Sequence, residues 1–150
     1  MSIRIRAAAQ NDANAWTQMR AELWPDCPAA RHELEVKQLL QSPGLVIVAE
    51  ADGELVGFAE ISVRVDHVEG TAAAPVPYLE GWYVKTAWRG RSIGRELIRF
   101  AENWAYGNGY RELASDAELE HADSIGAHVA LGFREVGRNV HFVKALRGTN

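Results

Sequence analysis

One cysteine, Cys27, stands in 150 residues, so no internal disulfide can form and a reducing compartment, the cytoplasm, is the expected location. No obvious basic partner adjoins it, so it reads as a small, partly buried hydrophobe and not as a nucleophile. No apolar run approaches the roughly 18 residues of a membrane span, and residues 1–10 carry arginines without the apolar stretch of a signal peptide. An excess of positive charge is also missing. The net charge of -4 argues against a general nucleic-acid binder and is permissive for a cationic ligand. The five histidines show no metal-ligand spacing, and His32-Glu33 does not continue to HExxH, so no metal is expected. Repeats, low-complexity tracts and linkers are absent, which leaves one domain over residues 1–150 with enough chain to bury a core.

What is present is a mixed succession of helical and strand patterns. Residues 3–7 alternate as an edge strand. Asn11 or Asp12 can cap a helix that carries Ala15, Trp16, Met19 and Leu23 until Pro25 and Pro28 break it. A second helix is expected over residues 30–41, with Leu34, Leu39 and Leu40 apolar. Residues 45–50 and 55–65 form strands joined by an Asp52-Gly53 hairpin turn, and residues 78–84 form a third. Ile93, Leu97, Ala101 and Trp104 mark one face of a helix ending near Gly107 or Gly109. A short strand at 113–115, a helix at 124–131 stopped by Gly132, and one or two strands within 133–145 complete the pattern. A strand meander inside a helix–strand alternation implies an α+β fold and not a doubly wound sheet.

The most informative stretch follows the third strand of the meander. Trp88-Arg89-Gly90-Arg91-Ser92-Ile93-Gly94 is a short polar loop running into the amphipathic helix, with Arg95 behind it. Small residues let main-chain N–H groups approach a ligand, and the helix start adds unpaired donors and the positive end of its dipole. Two flanking arginines make the turn suited to a pyrophosphate, although the same residues would also serve as a solvated turn before a surface helix. Gly90-x-Ser92-x-Gly94 also spells a nucleophile elbow, with Asp116 and His128 in the right order. That reading fails because residues 85–91 separate Ser92 from the strand, and the chain is short for that fold.

Arg89, Ser92 and Gly94 fill the Arg/Gln-x-x-Gly-x-Gly/Ala loop that holds the CoA pyrophosphate in GCN5-related N-acetyltransferases, with Ser92 in the place of the usual glycine, where a serine at the helix start is expected to serve as a cap. The stretch His128-Val-Ala-Leu131-Gly132-Phe133 is similar to the second signature of that superfamily. The chain further resembles the aminoglycoside 6′-N-acetyltransferases over nearly its whole length, at Leu23-Trp24-Pro25, Ala51-Asp52-Gly53, Gly57-Phe58-Ala59, Tyr78-Leu79-Glu80-Gly81, Ala114-Ser115-Asp116 and Ala130-Leu131-Gly132-Phe133.

The resemblance implies a GCN5-related α+β fold: a mixed, mostly antiparallel sheet with helices on both faces and a V-shaped splay between central strands. It implies acetyl-CoA as cosubstrate, an aminoglycoside as acceptor, antibiotic resistance as outcome, and a homodimer. It places Trp82, Tyr83, Val84, Arg89, Gly90, Arg91, Ser92, Ile93, Gly94, Arg95 and His121 against CoA. Trp24, His67, Glu80 and Asp116 fall at the aminoglycoside site, and His128 stands where many members have a tyrosine acid. Gly137 occupies the place of an expected acidic contact from the dimer partner; Glu135 could replace it only with a shift in register.

Acetyl transfer from a thioester needs a neutral amine, a donor for the carbonyl oxygen and stabilisation of the leaving thiolate. Glu80, on the strand before the loop, is the first candidate for the amine side, with Asp116 as a second carboxylate. Glu80 could instead be a strand glutamate paired with an arginine such as Arg89. His128 could protonate the thiolate or simply pack under the sheet, and Trp24 could cover a sugar ring or belong to the core. Glu112, Asp116, Glu118, Glu120 and Asp123 form an acidic run able to attract a polycation, or merely a solvated loop.

Overall fold

The computed structural model describes residues 2–148. Strand β1 (Ile3–Ala7) leads through a short 3-10 turn into helix α1 (Ala13–Leu23), and α2 (Ala29–Leu39) follows. Strands β2 (Leu45–Ala51), β3 (Glu54–Arg64) and β4 (Val76–Val84) form the meander. Helix α3 (Ile93–Gly107), the two-residue strand β5 (Ala114–Ser115) and helix α4 (Ala122–Ala130) complete the regular elements. The sheet order is β1-β2-β3-β4-β5, antiparallel until β5 joins β4 in parallel. The β2–β3 hairpin turns at Asp52 and Gly53, both at positive φ (52° and 83°), the two-residue geometry that matches strand twist.

Period-two alternation in β2 and β3 sends side chains to two separate cores. Ile47, Ala49, Ala59 and Ile61 meet Ile93, Leu97, Ile98 and Ala101 of α3 on one face. Val46, Val48 and Phe58 meet Trp16, Met19 and Val36 from α1 and α2 on the other. Leu97 is fully buried, and burying such a side chain stabilises the fold by about 1.5–3 kcal/mol. The expected mixed sheet with helices on both faces is therefore present.

Two departures from strict pairing shape the site. Glu60 pairs with Gly81 and Ile61 with Leu79, so Glu80 is an extra residue in β4, a bulge that re-aims its side chain. On the other side of β4, β5 pairs only at Tyr78↔Ala114 and Leu79↔Ser115. From Glu80 onward β4 has no ladder with β5, and this is the expected splay.

Four expectations need correction. Residues 133–145 form no strand, and Val140, Phe142, Val143 and Leu146 are 75–98% exposed. Alternating apolar residues make a strand only where they pair with an edge and bury against a surface, and in the single chain this segment pairs with no strand and leaves these side chains uncovered. Asp12 does not cap α1 with its side chain. Its carboxylate instead takes two hydrogen bonds from Arg6, at 2.7 and 2.9 Å, and one from the Ala9 N–H, and Arg6 holds it below the usual carboxylate range. Leu34 faces solvent while His32 and Val36 are buried, because the inward stripe of α2 runs through those two positions. Ser92, read as a helix cap, makes no capping hydrogen bond and stands at φ 64°, the left-handed region where glycine costs nothing and serine is strained.

Candidate active site

The loop before α3 is built for main-chain contact. Gly90 at φ 80° and Ser92 at φ 64° turn the chain, and a Cβ added at Gly90 would meet nothing within 4 Å, so that side of the loop is open. Ile93 is buried beneath the helix start, and Gly94 lies against Trp82, whose Nε1–H donates to the Gly94 carbonyl at 3.2 Å. The first hydrogen bond of α3 runs from the Glu96 N–H to the Ser92 carbonyl, so the N–H groups ahead of it point away from the helix. Arg89 Nε–H donates to the Val84 carbonyl at 2.9 Å, and Arg91 lies over the Trp88 ring at 4.8 Å. Fifteen residues of α3 give the start a full dipole. The residues present fit a pyrophosphate: a short nest of amides, an open approach and three arginines, Arg89, Arg91 and Arg95.

Beyond the splay lies a group of charges that sequence reading only partly assembled. Glu80 is not held by Arg89. Arg64 at the end of β3 grips it with both prongs, Nη2 to Oε1 at 2.7 Å and Nε to Oε2 at 3.0 Å, and the Ser62 hydroxyl also donates to Oε2. The Arg64 guanidinium lies over the Tyr78 ring at 3.4 Å. The Tyr78 hydroxyl donates to Asp116 Oδ2 at 2.7 Å, and burial followed by this bond pushes the phenol's pKa up. Glu80 and Asp116 thus belong to one cluster, bridged by Arg64 and Tyr78. Neither bridge was singled out beforehand. The available signal was Glu60, Ser62 and Arg64 at period two in an apolar strand: a polar row on one face.

Behind this cluster sits a buried charged group. Glu60, 3% exposed, accepts the Trp16 indole N–H at 2.9 Å and lies 3.4 Å from Arg20 Nε. Arg20 also pairs with Glu35 and stands over the Trp24 ring at 5.0 Å. Desolvation raises the Glu60 pKa to about 7 despite its arginine. Trp24 is half-buried, stacked on His32 and edge-on to Phe58, and a Cβ at Gly81 would come within 2.5 Å of it. The glycine therefore lets the indole close over β4 beside Glu80.

His128 lies edge-on to Trp82 and Phe133. Its Nδ1 is 2.7 Å from the Ser124 carbonyl, which can only accept, so Nδ1 carries the proton. Its Nε2 is 2.8 Å from Ser115 Oγ, which also lies 3.3 Å from the Leu79 carbonyl. A cavity of about 1030 Å³ runs from Arg64 and Tyr78 past Asp116 and His128, with Glu118 and Glu120 on its wall. Glu112 shares that wall but spends Oε1 on the Ala72 N–H. His67 and Gly137 line an adjoining recess of about 530 Å³. Asp123 and His121 are exposed at the start of α4, and Glu135 pairs with Arg138.

An open, arginine-flanked loop at the end of β4 and a carboxylate cluster at its bulge thus share one strand. The acetyltransferase (GNAT) profile matches residues 13–133. The chain belongs to that family. Within the family it is similar to an aminoglycoside N(6′)-acetyltransferase type 1 of Stenotrophomonas maltophilia, 46% identical over 139 residues that cover 92% of this chain and 90% of that protein. A Klebsiella aerogenes protein of the same description is 40% identical over 95% of this chain and 96% of its own length. A solved structure of AAC(6′)-Iy with the bisubstrate analogue CoA-S-monomethyl-acetylneamine superposes with a TM-score of 0.91 at 34% identity, covering 97% of this chain and all of that one. Another, of AAC(6′)-IG from Acinetobacter haemolyticus, superposes at 0.89 with 36% identity, covering 96% of this chain and 99% of that one.

Proposed function

We propose that this GNAT protein moves the acetyl group of acetyl-CoA to an aminoglycoside, at the 6′-amino group, and so confers resistance. The observation that carries the reading is the placement of Glu80 and Asp116, linked through Arg64 and Tyr78, beyond the strand that leads into the open, arginine-flanked loop. Its relatives and the analogue bound to AAC(6′)-Iy point to the same pair of substrates.

In this reading the loop at Arg89, Gly90, Arg91, Ser92, Ile93, Gly94 and Arg95 holds the CoA pyrophosphate. The unladdered edge at Trp82, Tyr83 and Val84 receives the pantetheine arm as an added strand, with His121 beside it. Acetyl-CoA supplies the thioester carbonyl. Glu80 binds the substrate ammonium, takes its proton and leaves a neutral amine to form the N–C bond as the C–S bond breaks. Asp116 holds a second ammonium, while Trp24 and His67 flank the sugar rings. His128 serves the departing sulfur through Ser115: in its doubly protonated form it gives the Nε2 proton to Ser115 Oγ as the hydroxyl's own proton passes to the thiolate, leaving the Nδ1–H tautomer. Location in the cytoplasm places the enzyme where acetyl-CoA is made.

The test is thiol release from acetyl-CoA with kanamycin, a 6′-hydroxyl analogue and spermidine. Turnover with kanamycin and none with the 6′-hydroxyl analogue is the expected pattern; equal turnover with spermidine would remove the aminoglycoside assignment. Calorimetry with CoA alone should show binding.

The same segment that forms no strand supports a homodimer. β5 is a bare sheet edge, and Val140, Phe142, Val143 and Leu146 have no surface to cover among the described residues. Such an edge and such a stripe suit a second copy of the chain. The double variant Phe142→Glu, Leu146→Glu is expected to sediment as a monomer, while a wild-type monomer at micromolar concentration would contradict the dimer.

A further inference from the structure

Glu80 is not a vacant carboxylate. Both of its oxygens are engaged by the Arg64 fork at 2.7 and 3.0 Å, and Ser62 adds a third donor to Oε2. A substrate ammonium entering beside this pair would sit next to a like charge within contact distance, which disfavours the charged amine there. Arg64 must therefore leave when the substrate's cation arrives, and the structure shows how it can. It is the last residue of β3, its side chain is 42% exposed, and the Tyr78 ring at 3.4 Å gives its planar face a hold that does not depend on Glu80. Glu80, by contrast, sits on the β4 bulge and keeps its bond from Ser62 when the arginine moves.

We propose that Arg64 is a placeholder cation, occupying Glu80 in the free protein and exchanged for the substrate ammonium, so that it sets which amines can bind. The proposal rests on the reading that Glu80 receives the amine. Affinity at Glu80 is then that of an exchange and not of simple addition, and it is reduced by the fraction of time the carboxylate is already held. A monoamine offers one charge for the one it displaces and gains little. A polyamine brings further ammonium groups to Asp116 and the acidic wall of Glu118 and Glu120, and those contacts drive the exchange. The displacement costs every amine the same factor, so a monoamine anchored only at Glu80 falls below useful binding while a polyamine, anchored at other carboxylates as well, does not. The guanidinium suits the task better than lysine would: its fork matches the carboxylate and its plane stacks on Tyr78.

The test is calorimetric binding of neamine and of a monoamino sugar to the CoA-saturated protein and its Arg64→Met, Arg64→Lys and Glu80→Gln variants. Losing a well-formed exposed pair should tighten neamine and the monoamine alike, roughly threefold to fivefold, in Arg64→Met. Arg64→Lys keeps the charge without the fork and should fall between wild type and Arg64→Met. In a Glu80→Gln background Arg64→Met should bring no tightening. Unchanged or weaker neamine binding in Arg64→Met overturns the placeholder, as does an Arg64→Lys variant identical to wild type, which would leave only net charge at work. If Glu80→Gln alone leaves neamine affinity intact, it is the role of Glu80 that has failed.

Discussion

Replacing Arg20 by methionine is expected to lower stability by about 3–5 kcal/mol at pH 8 and by distinctly less at pH 5. Glu60 lies in the α1/α2 core at 3% exposure, and Arg20, at 3.4 Å, is its only cation in contact among the described residues. Methionine fills most of the space of the arginine stem, so the loss comes from an uncompensated buried charge and not from a cavity. The sign of the pH effect follows from linkage. Burial lifts the Glu60 pKa from an ordinary 4.5 to about 7, so between those values the native state holds its proton more firmly than the unfolded chain. Stability from this group is therefore greatest at low pH and falls as pH rises through that window. Removing Arg20 takes away the main influence holding the pKa down, so the window widens upward and the deficit grows with pH. Urea denaturation of wild type and Arg20→Met at pH 5, 7 and 8 measures it, and the double variant Arg20→Met, Glu60→Leu should recover most of the loss. A deficit independent of pH would mean that Glu60 is not the group responsible.

This buried pair also marks where the sequence was hard to read. The hairpin, the meander and the α3 stripe were legible because each depends on local pattern: Asp52-Gly53 at positive φ, alternation in β3, and Ile93, Leu97 and Ala101 at helical spacing. The pyrophosphate loop was legible for the same reason, though Ser92 proved to be a strained left-handed residue and not a cap. What escaped depended on contacts between elements. Arg64 and Glu80 are sixteen residues apart and Trp16 and Glu60 forty-four, and nothing local couples either pair. The bulge at Glu80 is a mismatch in register between two strands and leaves no mark on either alone. The end of the chain was misread from the opposite cause. Its alternation is genuine, but a strand there also requires a surface to bury its apolar side chains, and Val140, Phe142, Val143 and Leu146 stay exposed in one copy of the chain.

Glu80→Gln is expected to reduce kcat/KM for an aminoglycoside by about 10²–10⁴-fold, the usual share of a positioned general base. Glutamine keeps the length of the side chain and an oxygen for the Ser62 hydroxyl, so the β4 bulge has no steric reason to change. It loses the charge that attracts the ammonium and the basicity that removes its proton. Fold stability should shift by about 1 kcal/mol or less, because the Arg64–Glu80 pair is partly exposed at 42% and 32% and such pairs contribute little. Affinity for CoA should not move, since the Arg89 to Gly94 loop lies beyond the end of β4, with Arg89 held by the Val84 carbonyl. The combination separates the two roles the sequence allowed for this residue. A strand glutamate that only pairs with an arginine would lose stability and retain turnover per folded molecule. A residue that handles the amine loses turnover while the melting temperature and CoA titration stay close to wild type. Steady-state kinetics at a matched folded fraction therefore decides it: a variant within threefold of wild type would assign Glu80 to the scaffold and leave Asp116, 2.7 Å from the Tyr78 hydroxyl, as the remaining carboxylate for the amine.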